Sequence, residues 1–168
     1  MKNRLLNVVL TSSVLSLAAA TPGAAEPGDW TRVSPPGAGF SVDMTGMKMT
    51  AKAPGQYVYL DTDRFFAVIV TPPDGQARGV EALEAKRAQL LAEWKPVRQS
   101  EPVAGLLGGY PTLRFSMEAE GQKALTLLVS DGQRMYQVVT TAETNVPDAD
   151  GERFLRSFRL DTAKTGSR

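Results

Sequence analysis

The chain has 168 residues, enough for one core-forming domain, and a formal net charge of +1. It contains neither cysteine nor histidine. That removes thiol and zinc–thiolate chemistry, a lipid-modified N-terminal cysteine, and the Ser–His–Asp and Cys–His nucleophile arrangements. Charges of mixed sign near neutrality give no broad electrostatic footprint for nucleic acid or an anionic membrane surface.

Lys2 and Arg4 precede an uncharged apolar run from Leu5 to Ala20, and small residues follow through Ala25. This is the pattern of a secretory signal peptide, with cleavage expected after Ala25 or, alternatively, after Ala20. The run falls short of the roughly 20 residues that a membrane span needs. Losing residues 1–25 removes two positive charges and no negative ones, so the mature chain is expected to carry −1. The expected destination is the periplasm or the exterior, with a single domain over 26–160 and a flexible tail over 161–168. An oxidising compartment permits disulfides without requiring them, so the lack of cysteine is compatible with export.

In chain order, EPGDWTRVSPPGAG (26–39) is rich in Pro and Gly, with a short strand expected around Trp30–Val33. FSVDM alternates, Phe40, Val42 and Met44 facing one way and Ser41 and Asp43 the other, which marks a half-buried strand. Thr45-Gly46 supplies a bend, and a second strand is expected after it. YVYL (57–60) and FFAVIV (65–70) read as a hairpin around Asp61–Arg64, the second run apolar on both faces and so central in its sheet. Pro72-Pro73-Asp74-Gly75 ends it.

From about Arg78 to Lys95 the period becomes helical, with Val80, Leu83, Leu90, Leu91 and Trp94 on one stripe. Arg87 interrupts the stripe and is expected to snorkel. VRQSEPV (97–103) reads as an edge strand and Gly105–Gly109 as a loop. A three-strand meander follows through TLRFSME, ALTLLV and MYQVVTT, turned at Glu120-Gly121-Gln122 and at Asp131-Gly132. Asp-Gly between strands predicts a tight hairpin with positive φ at both central residues. Pro147-Asp148 opens a last helix through about Phe158, with Phe154, Leu155 and Phe158 on its apolar side. The order of elements predicts an α+β domain, a mainly antiparallel twisted β-sheet flanked by helices.

Four stretches, GFSVDMTG (39–46), GGYPTLRFSM (108–117), RMYQVVT (134–140) and RFLRSFRL (153–160), carry a further signal in their order and spacing. Taken together, the chain resembles the PsbP-like superfamily, including small exported bacterial proteins similar to DcrB. The resemblance implies an α/β/α sandwich with an antiparallel sheet at its centre. It also implies an accessory role, since relatives include the photosystem PsbP subunit and a nuclear Ran-binding factor. No catalytic residues come with it. The lipoprotein cysteine of some DcrB-like relatives and the histidine-dependent metal binding of PsbP have no counterpart in this sequence.

Three groups are candidate sites. Met44, Met47 and Met49 are soft thioethers suited to Cu(I), yet the strand pattern uses Met44 as core and Met is a ready filler of core gaps. Asp61 with Asp63, and Asp148, Asp150 and Glu152, fit turn and helix-start chemistry better than a Ca²⁺ loop. GLLGGYP (105–111) lacks the strand–GxGxxG–helix setting of a dinucleotide site, but places Leu106, Leu107 and Tyr110 where a contact patch would sit. No cofactor is expected. The leading expectation is an exported non-enzymatic accessory or binding protein, presenting a surface or loop pocket to an envelope protein or a small ligand. The alternative is a periplasmic Cu(I)-handling protein that uses the methionine cluster.

Overall fold

The computed structural model describes residues 30–45, 49–60, 64–72 and 78–161. The expected signal peptide, the bend at Gly46, Met47, the turn at Asp61–Asp63, most of the PPDG break and the tail beyond Asp161 lie outside the described residues. Strands β1 (Trp30–Val33), β2 (Phe40–Thr45) and β11 (Arg159–Leu160) make a small antiparallel sheet in the order β1-β2-β11. The large sheet runs β3 (Thr50–Ala53), β4 (Gln56–Leu60), β5 (Arg64–Thr71), β10 (Met135–Glu143), β9 (Gln122–Ser130), β8 (Tyr110–Ala119) and β6 (Arg98–Gln99). Strand β7 (Val103–Leu107) pairs beside β6 on the same edge of β8. Every described strand pair is antiparallel. Helix α1 (Val80–Trp94) lies on one face of the large sheet. Helix α2 (Ala149–Ser157) and the small sheet lie on the other.

Each face therefore has its own core. Under α1, Leu83, Leu90 and Trp94 bury against Leu113, Phe115, Met117, Leu128 and Val139. Arg87 does snorkel: its guanidinium sits 5.6 Å from the centre of the Phe115 ring and 3.8 Å from Glu84. Val80, expected on the buried stripe, is 52% exposed. It is the first helical residue, one turn short of the region where α1 meets the sheet, so the stripe starts at Leu83 with Ala82 beside it.

On the opposite face, Phe40, Val42 and Met44 of β2 and Phe154, Leu155 and Phe158 at α2 close over Phe66, Val68, Leu125, Val129, Tyr136 and Val138. Aromatic rings join the layers. Phe40 stacks on Phe158 with centroids 5.6 Å apart, and Phe66 meets Phe154 edge-on at 5.0 Å. Gly151 lets α2 approach this closely, because a Cβ there would lie 2.8 Å from Thr140 Cγ2 and 3.1 Å from Leu125 Cδ1.

Two turn readings come out differently from each other. Glu120-Gly121 is a two-residue turn with φ of 51° and 77°, closed by the Ala119–Gln122 pair. At Asp131 the connection runs through Arg134, and among its residues Gly132 has positive φ. Asp131 Oδ1 accepts the N–H groups of Gln133 and Arg134 at 2.8 and 2.6 Å, and the Asp131 N–H donates to Arg134 O at 3.2 Å, so its side chain holds the loop together with one backbone bond. The stretch expected as a loop at Gly105–Gly109 is also corrected. Most of it is strand β7, and the turn shrinks to Gly108-Gly109, with φ of 60° and 88°.

Candidate functional site

Helix α2, strand β11 and the β7–β8 hairpin meet on the face that carries the small sheet. The helix is held there from both ends. Asp148 pairs with Lys123 at its start, and Arg159 Nη1 donates to the carbonyls of Arg156 and Phe158, each at 2.7 Å, at its finish. Ser157 Oγ donates to Phe154 O and accepts the Asp43 N–H, both at 2.8 Å, which ties α2 to β2. Arg32 Nη1 reaches Asp43 Oδ1 at 2.9 Å and Ser157 O at 2.6 Å, a second tie across the same seam.

A cleft of about 190 Å³ opens between α2 and the hairpin. Leu107, Leu127, Leu155 and Phe158 contribute its apolar lining, Thr112 and Leu106 stand at its edge, and Arg114 and Arg156 bring cations to it. Glu152 lies between those two arginines. It accepts a hydrogen bond from Arg114, and its Oε2 stands 3.6 Å from Arg156 Nε without a hydrogen-bond partner. Arg156 is 75% exposed along its side chain, so its guanidinium stays available to an incoming group. A shallow groove continues along α2, where Arg153, Arg156 and Arg159 share the lining with Asp43 and Glu152. Arg153 lies over the Trp30 ring at 4.5 Å.

A second concavity of about 440 Å³ lies past β11, between Gly37, Gly39, Tyr110, Asp131, Arg134, Tyr136 and Asp161. Four of its polar side chains are already engaged. Tyr136 Oη donates to Asp131 Oδ2 at 3.1 Å, Arg134 Nη1 donates to Ala38 O at 3.2 Å, and Ser34 Oγ donates to Asp161 Oδ2 at 3.2 Å. Burial, reinforced by the Asp131 carboxylate, pushes the Tyr136 phenol up to about 12. A phenol held neutral this firmly is a hydrogen-bond donor rather than a base or nucleophile near neutral pH. Because the folded state disfavours the phenolate, the unfolded chain loses this proton first as pH climbs past 10. Stability is expected to be intact below pH 10 and to fall as pH rises toward 12. Absorbance titration of the phenolates should show a late step from Tyr136, and Tyr136→Phe should remove that step.

The sequence-level candidates divide as follows. Leu106 is 75% exposed, Tyr110 is 39% exposed, and Leu107 packs against the core. The hairpin register pairs Leu107 with Tyr110, which brings the first to the cleft and the second to the neighbouring concavity. Met44 is 1% exposed and packs with Phe40 and Val42, and Met49 packs against the same core. Asp148 and Glu152 are engaged with Lys123 and Arg114. Among the described residues no group of three His, Cys, Asp or Glu side chains converges as a metal site would. The arginines were not anticipated as site residues. Their signal is partly readable in RFLRSFR, where Arg153 and Arg156 are three apart and so share one helical flank, while Arg159 joins them from the start of β11.

The sequence matches no protein-family model and no curated protein. Solved structures do match in shape. The Saccharomyces cerevisiae Ran-binding protein Mog1p aligns with a TM-score of 0.57 and 10% identity, over 79% of this chain and 96% of that one. The solution structure of cyanobacterial PsbP (CyanoP) from Synechocystis aligns with a TM-score of 0.54 and 14% identity, over 85% of this chain and 97% of that one. A Bacteroides thetaiotaomicron protein aligns at 0.53 and 16% identity, over 82% of this chain and 50% of that longer one. The expected PsbP-like fold is thus the fold this chain has. Among the described residues no helix is long and apolar enough to cross a membrane.

Proposed function

We propose that this is an exported, non-enzymatic binding protein of the bacterial envelope, and that it docks a partner protein on the face formed by α2, β11 and the β7–β8 hairpin. The carrying observation is the apolar cleft of Leu107, Leu127, Leu155 and Phe158 beside a row of arginines of which Arg156 is largely free. An apolar anchor in a cleft, flanked by guanidinium groups, is the composition of an interface centre. The matching partner surface presents an apolar side chain with carboxylates beside it. The export signal at residues 1–25 directs the reading to the periplasm or exterior. One solved neighbour, Mog1p, is a Ran-binding protein, and a binding role on this fold agrees with the proposal without naming a partner.

Capture from envelope extracts with C-terminally tagged protein tests the reading. Arg156→Gln combined with Leu106→Asp is expected to lower recovery of the captured protein at least tenfold; both side chains are exposed, and losing the Arg156–Glu152 pair should lower stability by only about 0.5 kcal/mol. Recovery that is unaffected by the double substitution, or that persists undiminished in high salt, would count against this face.

A further inference from the structure

The outer edge of the large sheet at β7 lacks the usual defences against pairing. Val103–Leu107 reads VAGLL, with no charge and no proline, and Val103 and Leu106 are 66% and 75% exposed. The β6 part of the same edge does carry such defences, with Arg98 in the strand, Glu101-Pro102 after it and a one-residue shift on β8 between Gln99–Met117 and Val103–Arg114. The undefended stretch is therefore β7 alone. Natural edges are blunted by charged residues, proline or bulges. The opposite edge strand, β3, has such a device in the register shift between Ala51 and Ala53. The described register of β7 on β8 is uninterrupted.

The hairpin fixes which backbone groups of β7 point outward. In a hairpin with a two-residue turn, the residues flanking the turn form a hydrogen-bonded pair, and bonded and non-bonded pairs then alternate. Leu107–Tyr110, Gly105–Thr112 and Val103–Arg114 therefore bond inward. Leu106–Pro111 and Ala104–Leu113 are the non-bonded pairs. Pro111, which has no N–H to donate, agrees with this phase. Ala104 and Leu106 thus direct their N–H and C=O groups away from β8.

We propose that β7 pairs with β7 of a second copy of this chain, antiparallel about a two-fold axis through Gly105. A segment whose outward groups lie at 104 and 106 engages both of them in that register. Ala104 of each copy faces Leu106 of the other, exchanging both backbone hydrogen bonds and setting a small side chain against a large one. Gly105 faces Gly105 of the second copy as a non-bonded pair, where backbones come closest. Residues 102–110 carry no charge, so no like charges oppose each other across the axis. Short edge-to-edge contacts bury little area, so the dimer is a reversible, concentration-dependent one. This surface is the outward edge of β7; it adjoins the partner face described above and shares Leu106 with it, whereas Arg156 belongs to the partner face alone.

The absence of cysteine in the chain makes the register directly readable. At a non-bonded antiparallel pair the Cα atoms are about 4.5 Å apart, within the roughly 4.4–6.8 Å that a disulfide spans. A Cβ at Gly105 would meet the Thr112 hydroxyl at 3.1 Å, a side chain free to turn aside. Gly105→Cys is therefore expected to yield a covalent dimer under mild oxidation. Val103→Cys, displaced from its own symmetry mate by about 13 Å along the strands, should stay monomeric. Sedimentation of the wild-type protein should show a monomer–dimer equilibrium. Ala104→Pro, which removes an outward N–H and no bond within the protomer, should abolish that equilibrium with the melting temperature and circular dichroism unchanged. A wild-type protein that sediments as a monomer throughout the accessible concentration range would overturn the proposal, even were the reduced Gly105→Cys variant misfolded. So would a dimer that survives Ala104→Pro, and cross-linking at Val103→Cys in preference to Gly105→Cys would overturn the register.

Discussion

Replacing Phe158 with alanine is expected to destabilise the protein by about 3–5 kcal/mol, the range for truncating a fully buried aromatic side chain. Phe158 is 0% exposed and stands where α2 turns into β11. Its ring stacks on Phe40 at 5.6 Å and tilts against Tyr136 at 5.7 Å, so one side chain joins the small sheet, the last helix and the central strand of the large sheet. Those two neighbours belong to different sheets, and they are unable to collapse together into the space without moving α2. The cavity therefore persists, and cavity cost adds to the lost transfer energy. Urea unfolding should show a lower midpoint at an unchanged slope. Phe158→Leu, which keeps most of the volume, should lose well under half as much.

The elements most legible in the sequence are those whose information is local. Alternation through Phe40, Val42 and Met44 predicts a strand with one buried face, and all three are at most 1% exposed. FFAVIV predicts a central strand, and β5 lies between β4 and β10. The failures share a different cause. Gly105–Leu107 has no alternation because β7 is an edge strand with neither face well buried, so the pattern that announces strands is missing there. Asp131-Gly132 and Glu120-Gly121 look alike as short polar-Gly pairs, yet they differ in whether a side chain takes part in the closing hydrogen bonds. Leu106, Leu107 and Tyr110 could be chosen as contact residues from composition and position. Arg114, Leu127, Leu155 and Arg156 could not be joined to them, because strand order and the seat of α2 bring them together, and neither is a local property of the chain.

Gly55→Ala is expected to be as damaging as loss of the Phe158 ring, for a reason that side-chain packing does not contain. Gly55 sits at the β3–β4 turn with φ of 75°, and a Cβ there would lie 2.2 Å from the carbonyl oxygen of Val70. That oxygen belongs to backbone held in register between β4 and β10, and Gly55 O in turn accepts the Val70 N–H at 2.7 Å. Relief would require either breaking that hydrogen bond or shifting β5 away from its neighbours. Left-handed backbone alone costs a non-glycine residue about 1–2 kcal/mol. The steric conflict and the displaced bond raise the expected loss to about 3 kcal/mol or more. Gly121→Ala separates the two contributions. Gly121 has nearly the same φ, 77°, and nothing within 4 Å of its would-be Cβ. It should lose only the conformational part, about 1–2 kcal/mol. Equal losses for the two variants in urea unfolding would show that β5 gives way, and would mean that the β3–β4 edge is softer than its hydrogen-bonded register implies.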